Sequence, residues 1–342
     1  MEGFDLNKRL SQLESLGDPL PRLNAVVDWE AFRSVLMTIR RKPAKGPGGR
    51  PAYDVVLMFK VLVLQQLYNL ADEQTEYQIR DRYSFCRFLG LSPVSKVPDA
   101  RTIWVFREAL KKHDLVDQLF AQLNELITSA GYIPRQGQIV DAGIVAAPRQ
   151  RNGRQDNAKV KRGETPESWR NNPKRLRQKD QDARWTKNHG KTHYGYKNHI
   201  GVDRKHKLIR RFEVTAASVA DNQVFDALID PDNTNAAIWA DAAYRSKACE
   251  RALKGAGYRS HIHTKGQADR TIPACQQRAN GKRSKKRCRV EHIFAAQQAM
   301  GGKLVRTIGL ARARVKIAMM NIVYNLRRWA WLQTTASPIA LR

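Results

Sequence analysis

GQIVDAGIVAAP, residues 137–148, is the stretch on which the fold turns. It is short, apolar and strand-like, and Asp141 sits inside it between Ile139, Val140, Ile144 and Val145. A carboxylate in such company is costly to desolvate unless it is paired or binds a cation. Taken alone, Asp141 also reads as an ordinary strand-end turn residue. The segments before this stretch read as helices; those after it alternate strands with helices.

Upstream, WEAFRSVLMTIRR (29–41) predicts a helix, and KPAKGPGGRP (42–51) a Pro/Gly breaker. AYDVVLMFKVLVLQQLYN (52–69) reads as a well-buried helix, and TEYQIRDRYSFCRFLGL (75–91) as two short ones ending at Gly90. PDARTIWVFREALKKH (98–113) offers Asp99 as a cap, and DLVDQLFAQLNELITSAG (114–131) is a periodic amphipathic helix stopped by Gly131. Residues 1–131 are therefore expected to be a helical domain for DNA binding or oligomerisation, with a helix-turn-helix unit only weakly signalled.

Downstream, residues 149–192 carry 14 basic and 5 acidic side chains and are expected to be a poorly packed insertion. HYGYKNHIGVD (193–203) and KLIRRFEVTAAS (207–218) predict paired strands across a DRKH turn. A helix over DNQVFDALI (221–229) follows, then a strand in NAAIWADAAY (235–244) with Asp241 near its end. SKACERALKGAG (246–257) predicts a helix, YRSHIHTKG (258–266) a strand, and VEHIFAAQQAM (290–300) and ARVKIAMMNIVYNLRRWAWLQ (313–333) two more helices. The order predicts an α/β domain over 132–333, a mixed sheet flanked by helices, with 334–342 as a tail.

The formal charge is +29, from 61 Lys and Arg against 32 Asp and Glu. So much positive charge opposes compaction unless a polyanion neutralises it, which makes nucleic acid the first candidate partner and anionic membrane the second. No apolar run reaches the length of a membrane span; VVLMFKVLVLQQLYNL (55–70) comes nearest and Lys60 interrupts it. The N-terminus does not read as a signal peptide, and four scattered cysteines suggest a reducing compartment. A cytoplasmic, nucleic-acid-associated protein is the expectation.

Between Arg270 and Arg342 stand 16 Lys and Arg and a single acid, Glu291. At the start of a helix a carboxylate is favoured by the dipole, but that does not explain why every other acid is missing. If Asp141, Asp241 and Glu291 met at a sheet edge they would repel one another, and divalent Mg²⁺ or Mn²⁺ would relieve the repulsion. A basic surface would then hold the phosphodiester that the metals act on.

These residues resemble those of DDE transposases of bacterial insertion sequences (family-five type). In that group a helical N-terminal domain precedes a ribonuclease-H-like catalytic domain. IVDAGIVAAP, DARWTKNHGKTHYGYKNHIGVD, LIRRFEVTAASVADNQVF, ADAAYRS, RVEHIFAAQQAMGG and YNLRR carry the resemblance, over roughly 45–330. It implies a triad of Asp141, Asp241 and Glu291 as metal ligands. Arg287 would clamp phosphate, and Tyr244 would position the Asp241 side or a flanking nucleotide. Where the family often has Thr two residues after the first Asp, this chain has Gly143; where it has a basic residue seven after the Glu, it has Gln298. The implied activity is metal-dependent cleavage at terminal inverted repeats and strand transfer into target DNA, by a homo-oligomer in the DNA complex. Lys197, Arg245, Lys282, Arg283, Lys285, Lys286, Arg289 and Lys303 are the expected DNA contacts. Two other readings stay open: a non-catalytic DNA-binding regulator derived from a transposase, and a nuclease of the same fold without strand transfer.

Weaker signals in the chain each have an ordinary alternative. His261, His263, Cys275, Cys288 and His292 lack the close spacing of a structural zinc site. Trp185 reads as a base-stacking platform or, equally, an insertion anchor. Gly301 and Gly302 read as a turn.

Overall fold

The computed structural model describes residues 6–40, 51–92, 94–188, 190–266 and 272–336. Most of the 42–51 breaker and of the tail lies outside them. The chain divides into two compact units, Met1–Ile127 with Met319–Arg342, and Thr128–Ala318.

The first unit is helical: α1 (Leu6–Ser15), α2 (Pro19–Val26), α3 (Arg33–Leu36), α4 (Val55–Leu67), α5 (Asp72–Asp81), α6 (Tyr83–Leu89), α7 (Ala100–Lys112) and α8 (Leu115–Ser129). Local chemistry sets the ends. Asp54 Oδ1 accepts from the amides of Val56 and Leu57 at the start of α4, and Asp99 Oδ1 from Thr102 at the start of α7, each cap contributing about 1 kcal/mol. Gly90, at φ 73°, ends α6 in the left-handed region. Helix α4 is buried almost all round, and Phe59 packs against Trp29 and Phe32. Lys60 fits there by laying its ammonium over the rings of Trp29 and Phe88. The helix expected over 29–41 is only α3, flanked by 3₁₀ turns over Glu30–Phe32 and Met37–Arg40. Trp29 has no side-chain acceptor to cap a longer one. No single described helix is long and apolar enough to cross a membrane.

In the second unit β1 (Gln138–Ala146) is followed by α9 (Arg154–Lys161), α10 (Glu167–Arg170) and α11 (Pro173–Arg177). Then come β2 (Arg184–Asn188), β3 (Lys191–Asp203), β4 (Ile209–Ala216), β5 (Ala237–Ala240), α12 (Lys247–Gly255), β6 (Arg259–Ser260), α13 (Ala274–Arg287) and α14 (Glu291–Ala299). The sheet runs β2-β3-β1-β5-β6, with β4 also paired to β3. β1 is antiparallel to β3 and parallel to β5, and β5 is parallel to β6. This is the mixed α/β architecture expected, a central sheet flanked by helices and preceded by a helical region.

Strand alternation sorts the two faces. On one, Val140, Ile238 and Ala240 pack with Phe225, Leu228, Tyr244, Ile262 and Leu253 of α12. On the other, Gly143 and Asn198 meet α14 through Phe294 and Gln297. The helix expected over 221–229 is two 3₁₀ turns instead, Asp221–Gln223 and Asp226–Leu228. Phe225 and Leu228 both turn into the core there, and the Leu228 carbonyl approaches Gly201 so closely that a Cβ at 201 would meet it at 2.1 Å.

The insertion 149–192 is mostly exposed, in keeping with its composition, but it is anchored at a few buried points. Trp169 is fully buried, and the buried Asp180 carboxylate accepts from Tyr196 Oη at 2.7 and 2.9 Å and from the amides of Asp182 and Ala183. One large indole and one satisfied carboxylate anchor a segment whose composition is otherwise that of a loop. The last helix, α15 (Leu310–Ala336), contributes residues 310–318 to this unit, while its continuation from Met319 groups with the helical unit.

Candidate active site

Asp141 and Asp241 are side by side because β1 and β5 are parallel and in register. Val140 pairs with Ala240, and each Asp is the next residue along. Each carboxylate accepts from the amide that follows it, Ala142 at 2.9 Å and Ala242 at 2.6 Å. Asp241 ends its strand this way and caps the turn Ala242–Tyr244. The alternation that sends Val140 and Ala240 into the core leaves both acids on the opposite face.

Glu291 reaches that face on α14. The Phe294 ring seats the helix against β1, in space that a Cβ on Gly143 would occupy. Gln297 Oε1 accepts from Asn198 on β3, the residue paired with Gly143, and Ile293 is fully buried. Glycine at 143, where the family often has threonine, is thus what lets this helix lie so close.

Arg287, one helical turn before Glu291, ties the acids together. Its Nη1 donates to Asp141 Oδ2, and its Nη2 lies 3.9 Å from Glu291 Oε1. Burial pushes the Asp141 carboxyl up to about 6; Arg287 and the Ala142 amide oppose that, while Glu291 and Asp241 add to it by repulsion. The three carboxylates therefore feel one another. Glu291 is the outermost, its side chain 62% exposed against 14% for Asp141.

Hard carboxylate oxygens are the donors that Mg²⁺ and Mn²⁺ take, so this set fits such an ion in kind. Asp141 fits best: it is largely shielded from water, repelled by two acids and stabilised by a neighbouring cation. Among the described residues, though, no three acid, His or Cys side chains form a ready-made metal cage. That applies equally to the zinc candidates: Cys275 and Cys288 are exposed, and His261 stacks on Trp239 at 4.8 Å.

Residues 133–326 match the family described as Transposase DDE domain. The chain belongs to that family. Residues 8–109 match a second model, Transposase domain (DUF772), so the helical region as well as the sheet domain is of transposase type. Among solved structures, the chain is similar to the piggyBac transposase in its synaptic complex with hairpin DNA. The TM-score is 0.48 at 12% identity, over 95% of this chain and 77% of that one.

Within this transposase DDE domain the remaining site residues are placed as follows. Tyr244 is fully buried in the core cluster against Phe225, so it supports the turn after Asp241 and has no face to offer a nucleotide. Burial also drives its hydroxyl well above the usual phenol range. Lys197 is not a surface cation either. Its ammonium is held by Asp221 Oδ1 and the Val219 carbonyl, both at 2.8 Å, with 11% of the side chain exposed. A lysine in mid-strand, beside paired strands, is drawn to the nearest carboxylate. Lys282, Lys285, Lys286, Arg289 and Lys303 are exposed; Arg245 and Arg283 are half-buried. Gln298 is exposed, and Trp185 is half-exposed on the edge strand with Arg149 over its ring. His263 went unrecognised as a site residue in the sequence. Its Nδ1 is 3.8 Å from Asp241 Oδ1, and its Nε2 lies 3.4 Å from Ser284 Oγ. The alternation in HIH was the available signal, since it places His261 and His263 on the face of Trp239 and Asp241.

Proposed function

We propose that this chain is the transposase of a bacterial insertion sequence of the family-five type. It cuts DNA at the element's terminal inverted repeats and joins the freed 3′ ends to target DNA. The observation that carries the reading is the register of Asp141 and Asp241 on adjacent parallel strands, with Glu291 linked to Asp141 through Arg287.

Asp141, Asp241 and Glu291 would hold Mg²⁺ or Mn²⁺, which supplies Lewis acidity and charge neutralisation at the reacting phosphate. The chain's own residues bind and align the DNA. Arg287 neutralises Asp141, and its planar fork suits a phosphate oxygen as well as a carboxylate. Exposed Lys282, Lys285, Lys286 and Arg289 lie on the same stretch as Arg287 and attract the backbone; Lys303, Arg245 and Arg283 extend that surface. Tyr244 keeps the Asp241 turn in place from beneath. As in transposases generally, the active form would be a homo-oligomer assembled on DNA, in the cytoplasm and on the nucleoid.

The test is a labelled duplex carrying the element's ends, taken from the inverted repeats flanking the gene, incubated with Mg²⁺ and wild type or Glu291→Gln. Nicking and end-joining by wild type, lost in a folded Glu291→Gln variant that still binds, is the expected result. Binding without cleavage by wild type would identify a regulator; cleavage without joining, a nuclease.

A further inference from the structure

Beside Asp241 the sheet domain carries an open cleft of about 810 Å³ that the three carboxylates do not line. Arg245, Lys247, Arg251 and Lys265 contribute to its wall, with Thr264 and one acid, Glu250. Arg245 follows the turn after Asp241 and donates to Thr264 Oγ1 at 2.8 Å and to the Ile262 carbonyl at 3.3 Å. Arg283 of α13 donates to the same two acceptors, at 3.3 and 3.1 Å. Two guanidiniums are thus fixed at one hydroxyl and one carbonyl, neither of which carries a charge.

Glu250 offsets only part of this. Its Oε1 lies 3.4 Å from Arg245 Nε and also accepts from Ser260 at 3.0 Å. Lys247 and Arg251 are exposed, and among the described residues neither they nor Lys265 has an ion-pair partner. Scattered surface cations are ordinarily just solvated. Here they share a concave wall with a guanidinium already locked in place, so an anion entering meets donors that need little reordering.

We propose that this cavity seats a DNA backbone phosphate neighbouring the one at the carboxylates, holding the strand in register. The assignment rests on the transposase reading given above. Its location supports it: His263 approaches Asp241, and Thr264, the next residue, is in the cavity wall. Arg245, held through Nη1 and Nε, has Nη2 left to donate; Lys247 and Lys265 provide point charges and Arg251 a second guanidinium.

The probe is a random-sequence duplex of about 30 base pairs, titrated with the full chain in chelator over a range of salt, where each lost phosphate contact lowers the log–log salt slope by about 0.9. Lys247→Gln/Arg251→Gln alters two exposed helix positions, and circular dichroism checks that it folds. Lys174→Gln/Arg177→Gln on α11 removes the same charge elsewhere in the domain. The expected result is a slope lower by about 0.9, the one phosphate that the cavity seats, for the cavity pair and little changed for the α11 pair. A wild-type slope in the cavity pair, or an equal fall in both pairs, overturns the proposal. Metal-dependent nicking by wild type is scored separately. Its absence with the slope effect intact would reject the transposase reading and keep the phosphate seat; its presence with no slope effect would do the reverse.

Discussion

The ring of Phe294 stands 2.7 Å from where a Cβ on Gly143 would lie. Helix α14 therefore approaches β1 only because position 143 has no side chain, and Glu291 opens that helix. Gly143→Ala is expected to push the ring and the helix outward. A displacement of about 1 Å at a catalytic group costs roughly 100-fold in rate. Nicking should fall by that order while duplex binding in chelator stays near wild type. Gly143→Ala/Phe294→Leu should recover part of the loss. Wild-type nicking by a folded Gly143→Ala variant would show that the ring moves aside freely.

Arg287 is the cation beside Asp141, and both side chains are largely shielded from water. Arg287→Gln leaves a desolvated carboxylate facing Glu291 and Asp241. Breaking such a pair should destabilise the protein by about 2–3 kcal/mol. Added Mg²⁺ should then raise Tm more in the variant than in wild type, because the acids have lost their counter-cation. Thermal unfolding with and without Mg²⁺ checks both; an equal metal response in the two proteins would argue against a cation site at these acids.

His199 is fully buried, and burial lowers its imidazole to about 4; Asp221 and Glu213 pull it up, Lys197 pushes it down, and Thr215 Oγ1 lies 2.8 Å from its Nε2. The folded value lies below the ordinary one near 6.5, so between those two pH values the unfolded chain binds the extra proton. Stability is then full above pH 6.5 and declines as pH falls toward 4, by on the order of 3 kcal/mol from this group. His199→Gln should flatten the dependence of unfolding free energy on pH across that window. An unchanged slope would mean that carboxylates alone set it.

The Asp180–Tyr196 hydrogen bond anchors the 149–192 insertion. Asp180→Ala strands the Tyr196 hydroxyl and two amides in the interior, a change expected to cost about 2–4 kcal/mol. Adding Tyr196→Phe removes the stranded hydroxyl, so the double variant should lose less than the sum of the singles. Urea unfolding gives the energies, and limited proteolysis should show Asp180→Ala cut within 149–192 first. Strict additivity would deny the coupling.

The sequence by itself determined the main helices of the first unit, except over 29–41, and the shift to strands at 137. Capping aspartates at 54 and 99, a terminal Gly90 and an apolar stripe are local signals, effective within one turn of chain. It also determined two acids that follow apolar runs of the same kind, Asp141 and Asp241; the strand-end turn that Asp141 alone would suggest is not formed, since it lies within β1 while Asp241 just follows β5. Only the tertiary structure decided which side chains those acids meet. That Arg287 pairs with Asp141 across 146 positions, that Lys197 turns to Asp221, and that His263 stands at Asp241 depend on strand register and helix placement, which no local pattern encodes. The insertion is the plainest case. Its polar composition predicts a loose loop, and most of it is exposed, yet Trp169 is buried and Asp180 is held by Tyr196 of β3. Likewise 221–229 has helical composition, yet it forms two 3₁₀ turns, and both Phe225 and Leu228 lie in the core cluster.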